Sequence, residues 1–130
     1  METEEKGSIA SALARQAVAE GEGALKVIVA PDGDLAGMVF TLLTRVHQVS
    51  KDKITQIGHS CSDQQIDQLL KQKCPFVVVP RDIIDNRPCI FFLPAGTSRL
   101  VAVQFLDGEI FSMPIACEGV EFQFKPGWFS

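Results

Sequence analysis

The segment Phe76-Val-Val-Val79 constrains the fold more than any other feature of the chain. It is short, β-branched and without a polar position, so it reads as a strand buried on both faces. Such a strand needs packed layers above and below it. Leu25-Lys-Val-Ile-Val-Ala30 has nearly the same character and reads as a second buried strand. Both belong to a sheet that something else must cover.

The covering elements are legible between these strands. Leu35, Met38, Val39, Leu42, Val46 and Val49 recur at spacings of three and four, which predicts an amphipathic helix ending near Ser50. Asp32 or Asp34, in the turn Pro31-Asp-Gly-Asp34, can cap it. Ile54 and Ile57 mark a short strand. Ser62-Asp-Gln-Gln65 has the form of a capping box, and the helix it opens carries Ile66, Leu69 and Leu70 before Pro75 stops it. An earlier helix is predicted from a cap at Ser8 through Ala19, with Gly21 and Gly23 ending it. Residues 1–7 then read as a disordered tail, and 8–130 as a single α/β domain.

Beyond Phe76 the pattern changes. Cys89-Ile-Phe-Phe-Leu93 is a further strand. Arg99 to Leu106 and Glu109 to Ile115 flank Asp107-Gly108, the strongest short signal for a two-residue hairpin. Val120 to Lys125 alternates between apolar and polar, as a half-exposed strand does. The expected fold is therefore a mixed sheet: a β-α-β-α-β core extended by an antiparallel hairpin and strand, with helices packed on it and an N-terminal helix.

Lys26-Val-Ile-Val-Ala30 with the helix from Leu35, the stretch Ile66 to Val79 containing Pro75-Phe76, and Arg87-Pro-Cys-Ile-Phe-Phe-Leu93 together resemble the anticodon-binding domain of class II aminoacyl-tRNA synthetases and its non-catalytic relatives. The resemblance covers roughly residues 25–106 and concerns the order of elements. The chain departs from it in having Cys74 where the family often has glycine, and a hairpin where the family closes with a helix. What the resemblance implies is the same kind of fold, and an RNA-binding accessory role as one functional alternative.

Composition narrows the partners. The net charge is −4, with basic residues clustered only at Lys51 with Lys53 and Lys71 with Lys73. Phosphate binding draws on clustered cations, so RNA is the less favoured partner. No apolar run approaches the ~20 residues of a membrane span, and Met1 to Lys6 lacks the layout of a secretory signal. A cytoplasmic protein without membrane association is expected. Cys61, Cys74, Cys89 and Cys117 are spaced by 13, 15 and 28 residues, which fits no zinc pattern. Free, mostly structural thiols are expected, with no metal and no cofactor.

Three candidate sites follow. Asp32 and Asp34 sit between a strand and a helix, where open α/β sheets bind ligands; the same residues also serve a turn and cap. His59 and Cys61, in Gly58-His-Ser-Cys61 ahead of the capped helix, form a candidate base and nucleophile; the plain reading is a polar loop. Phe122 and Phe124 on the last strand, followed by Trp128 and Phe129, form a candidate interface, since these aromatics suit either a fold-back onto the core or an anchor in another chain. The leading expectation is a non-catalytic interaction or scaffold domain that self-associates, as a homodimer, through its C-terminal β surface. An RNA-binding accessory domain and a small enzyme built on His59 and Cys61 are the alternatives.

Overall fold

A computed structural model describes the backbone of residues 3–115 and 121–124 and the side chains of residues 4–115. The elements run α1 (Thr3–Ala19), β1 (Ala24–Ala30), α2 (Gly33–Arg45), β2 (Ile54–Gln56), α3 (Asp63–Leu70), β3 (Phe76–Pro80), α4 (Arg81–Asn86), β4 (Cys89–Phe92), β5 (Arg99–Leu106), β6 (Glu109–Ile115) and β7 (Glu121–Phe124). Five strands form one mixed sheet in the order β2-β3-β1-β5-β6. β2, β3, β1 and β5 are parallel, and β6 returns antiparallel to β5. The expected α/β architecture is the one observed.

Every residue of β1 and of β3 is buried, and strand geometry sends neighbours to opposite faces. Ala24, Ile28 and Ala30 pack with Leu13 and Ala17 of α1 and with Leu35, Val39 and Leu43 of α2. Leu25, Val27 and Val29 pack with Ile66 and Leu70 of α3, Ile84 of α4, and Cys89 and Phe91 of β4. The sheet is thus the middle of three layers. Burial pushes the Cys89 thiol up to about 11, so this cysteine is an inert core residue.

The chain travels from β1 through α2 to β2, then back through α3 to set β3 in the gap. It then crosses through α4 and β4 to β5 on the far side of β1. The two directions of travel use opposite faces, as crossovers of one hand require. The hairpin between β5 and β6 turns on Asp107 (φ 50°) and Gly108 (φ 83°), the left-handed pair that Asp-Gly favours.

The boundaries differ from the sequence expectation in four places. α1 begins at Thr3, so residues 3–7, expected in a disordered tail, are helical, and Ser8 lies inside the helix. Glu4 and Glu5 suit the positive end of its dipole. α2 ends at Arg45, ahead of Ser50. Gln48 takes φ 56° and the Val49 amide bonds back to the Leu43 carbonyl, so Val49 reaches the core by reversal of the chain. α4 was not foreseen, because six residues behind Pro80 carry only one buried anchor, Ile84. β4 leaves the main sheet and pairs with β7 in a separate two-stranded ribbon laid over the α3 face.

α1 has no basic residue in its last turn. The strands supply the cations that suit its negative end: Lys26 Nζ donates to the Gly21 carbonyl at 2.7 Å, and Arg99 Nη2 to the Glu20 carbonyl at 3.0 Å. Gly21 itself takes φ 84°, which a side chain would resist. The Ser112 hydroxyl foremost, with the Gln16 amide and Arg99, holds the Glu20 carboxyl below the usual carboxylate range, against a partial burial that raises it. Its folded value being depressed, the stabilisation is present above the ordinary carboxylate range and fades as pH falls through the folded value.

The two-sided core makes a definite demand on stability. Ile28 is fully buried on the central strand. Ile28→Ala is expected to cost about 2–5 kcal/mol in urea unfolding, and a loss under about 1 kcal/mol would show that β1 is not the packed centre.

Candidate functional site

β1 sends its connection to one face, into α2, while the neighbouring β3 sends its own to the other, into α4. Adjacent strands that part in this way open a crevice at their carboxyl ends, the usual ligand position in open α/β sheets. The Asp32 and Asp34 candidates and the His59 and Cys61 candidates all come to this end.

Asp32 is the N-cap of α2, with an extended backbone and its Oδ1 accepting from the Leu35 amide at 2.8 Å. Lys6, reaching across from α1, lies 3.2 Å from Asp34 Oδ2 and 3.8 Å from Asp32 Oδ2. The fold thus engages both carboxylates, one as a cap and both as partners of a lysine brought from α1, 26 to 28 residues earlier in the chain. Each has its task within the fold.

His59 projects from the loop after β2. Its Nε2 lies 2.7 Å and 2.9 Å from the two carboxylate oxygens of Asp82, in the first turn of α4. An ionised carboxylate only accepts, so Nε2 carries the proton of this bond. Nδ1 faces the start of α2: a Cβ added at Gly33 would stand 3.3 Å from it. The ring therefore bridges the crevice, held by α4 on one side and lying against the backbone of α2 on the other. Glycine at position 33 lets it approach. Asp82 is the partner that sequence reasoning missed; Asp63, nearer in the chain, is instead paired with Arg87. Nothing local marked Asp82, which lies in the helix that was not foreseen.

Cys61 shares with His59 and Asp82 an open groove of about 340 Å³. No hydrogen bond joins its sulfur to the imidazole. A nucleophile–base pair needs one histidine nitrogen on the orienting carboxylate and the other on the nucleophile; here the second nitrogen faces Gly33. Among the described residues, no group of three or more histidine, cysteine or acidic side chains is placed to hold a metal ion. Cys61, Cys74 and Cys89 are free thiols, and Cys117 lies outside the described residues.

Of the interface candidates, Phe122 and Phe124 lie on β7, where their backbone stands opposite Phe91 and Cys89 of β4. Their side chains, and Trp128 and Phe129 altogether, lie outside the described residues. The structure instead exposes two large apolar residues on β6, Phe111 (42%) and Met113 (36%). They stand opposite Gln104 and Ala102, so they share the α3 side of the sheet. Their spacing of two on a hairpin strand was visible in the sequence; that the strand would end the sheet was not.

Scans against protein-family models, characterised proteins and solved structures find no match to this chain. No helix among the described residues is long and apolar enough to cross a membrane.

The His59–Asp82 pair is half exposed on both sides (53% and 61%), and exposed pairs are worth little. A double-mutant cycle with His59→Ala and Asp82→Ala in chemical denaturation is expected to give a coupling of about 0.2–1 kcal/mol. A coupling well above that range would show that the pair is a structural keystone and not a surface latch.

Proposed function

We propose that this chain is a non-catalytic protein-interaction domain that self-associates through the β6 edge of its main sheet. The observation carrying this reading is β6. One edge of the sheet, β2, is only three residues long. The other, β6, runs for seven residues, pairs with β5 alone among the described strands, and displays Phe111 and Met113. A long edge with exposed apolar side chains is a template for adding another strand.

A second copy of the chain fits this edge. Antiparallel pairing of β6 with itself about a two-fold axis at Ser112 sets Phe111 of each copy opposite Met113 of the other, a favourable sulfur–aromatic contact. The same patch serves both copies, so the assembly closes at two. Pro114 and Glu109 near the strand ends keep the ladder short and discourage open-ended stacking. The engaged imidazole at the crevice, with its second nitrogen against Gly33, supports a binding role over an acid–base one.

Light scattering tests the reading. The expected result is twice the 14.2 kDa protomer mass for the native chain, and the protomer mass for the chain carrying Phe111→Glu with Met113→Glu. A native chain that stays at the protomer mass at every concentration contradicts it.

A further inference from the structure

The opposite end of the sheet from the crevice carries a separate feature. The pairs Lys51 with Lys53 and Lys71 with Lys73 are far apart in sequence. A one-turn 3-10 helix at Lys51–Lys53 leads into β2, and the segment holding Lys71 and Lys73 leads into β3, the strand beside it. Cys74 Sγ donates to the Asp52 carbonyl at 3.3 Å and ties the two segments together. One end of the domain is therefore basic, although the chain as a whole is acidic.

At this end lies a cavity of about 580 Å³, with Val18, Val49, Pro75 and Phe76 among its walls, Lys53 in its lining, and Lys26 as its buried charge. Lys26 is 3% exposed. Its Nζ donates to the Gly21 carbonyl at 2.7 Å and lies 4.3 Å from the centre of the Phe76 ring. An ammonium carries three donors, and one hydrogen bond and one aromatic face leave this one short of partners. Among the described residues no carboxylate lies within ion-pair distance of it. Burying an unpaired charge is costly, and burial accordingly holds this ammonium below the usual lysine range. Glu22 opposes that shift, while Arg99 and Lys53 reinforce it.

We propose that this cavity binds a small organic carboxylate, with its oxygens on Lys26 Nζ and its hydrocarbon body against Phe76, Val18 and Val49. Glu22, exposed in the same lining, lies beyond ion-pair distance of Lys26; the bound carboxylate supplies the close counter-charge, and the apolar walls account for a body larger than an inorganic anion. The volume falls within the roughly 300–1,000 Å³ usual for small-molecule sites. Lys53 adds a positive potential that draws anions in. The site is independent of the β6 edge, so it stands or falls apart from self-association.

Titration of the isotope-labelled chain by NMR tests it, with phenylpropionate as the probe and phenylpropanol and inorganic phosphate as comparisons. Phenylpropionate at millimolar concentration is expected to shift the amides of Val18, Lys26, Val49 and Phe76 in a saturable way, with the alcohol and phosphate at least several-fold weaker. Lys26→Met, which keeps the side chain's length and removes its charge, is expected to abolish the shifts. Should that variant fail to fold, Lys53→Gln, an exposed change, decides: several-fold weaker binding supports the proposal, and unchanged binding overturns it. Absence of saturable shifts, equal binding of the alcohol or of phosphate, or full binding by folded Lys26→Met would each overturn it.

Discussion

Burial of β1 from both sides is the constraint on which the rest of the molecule depends. A strand with no solvent face cannot end a sheet or lie on one; it needs hydrogen-bonded neighbours on both edges and packed layers on both faces. β3 and β5 supply the edges, α1 and α2 one face, and α3, α4 and the β4-β7 ribbon the other. The skip from β1 to β2 and the return to β3 follow from covering both faces with crossovers of one hand.

The two ends of that sheet then acquire opposite characters. At the carboxyl ends the connections diverge, and the opening is bridged by His59, with Asp32, Asp34 and Asp82 each already engaged with a cap, a lysine or the imidazole. At the amino ends the connections bring lysines together, and Lys26, which belongs to the buried strand, must place its charge among apolar walls. Its bond to Gly21 gives α1 a cation at its negative end, and the residue lines the cavity. The same strand thus forms the core with Val27, Ile28 and Val29 and carries a charged group with Lys26.

Much of the architecture was legible because it rests on short-range rules. The Asp107-Gly108 turn, the Ser62–Gln65 capping box and the apolar run at Phe76 each encode their outcome within a few residues, and each took the expected form. What was not legible depends on distant partners. α2 stops early because Val49 finds the core by reversing, and α4 forms where Ile84, with Ile83 beside it, meets the core. The site was readable to the same limit. His59, Cys61, Asp32 and Asp34 do meet at one end of the sheet, but their roles are set by Asp82, Gly33 and Lys6, which only the fold brings near. Nothing local in the sequence singles out Lys26; its burial does.

The central claim is a strand β1 sealed on both faces and a β6 edge that a second copy covers. Amide hydrogen exchange, followed residue by residue at low and at high protein concentration, tests it most directly. The account predicts that Val27, Ile28 and Val29 exchange slowest at both concentrations, and that amides of β6 slow as concentration rises and the edge is covered. Rapid exchange along β1, or β6 amides indifferent to concentration, would contradict it.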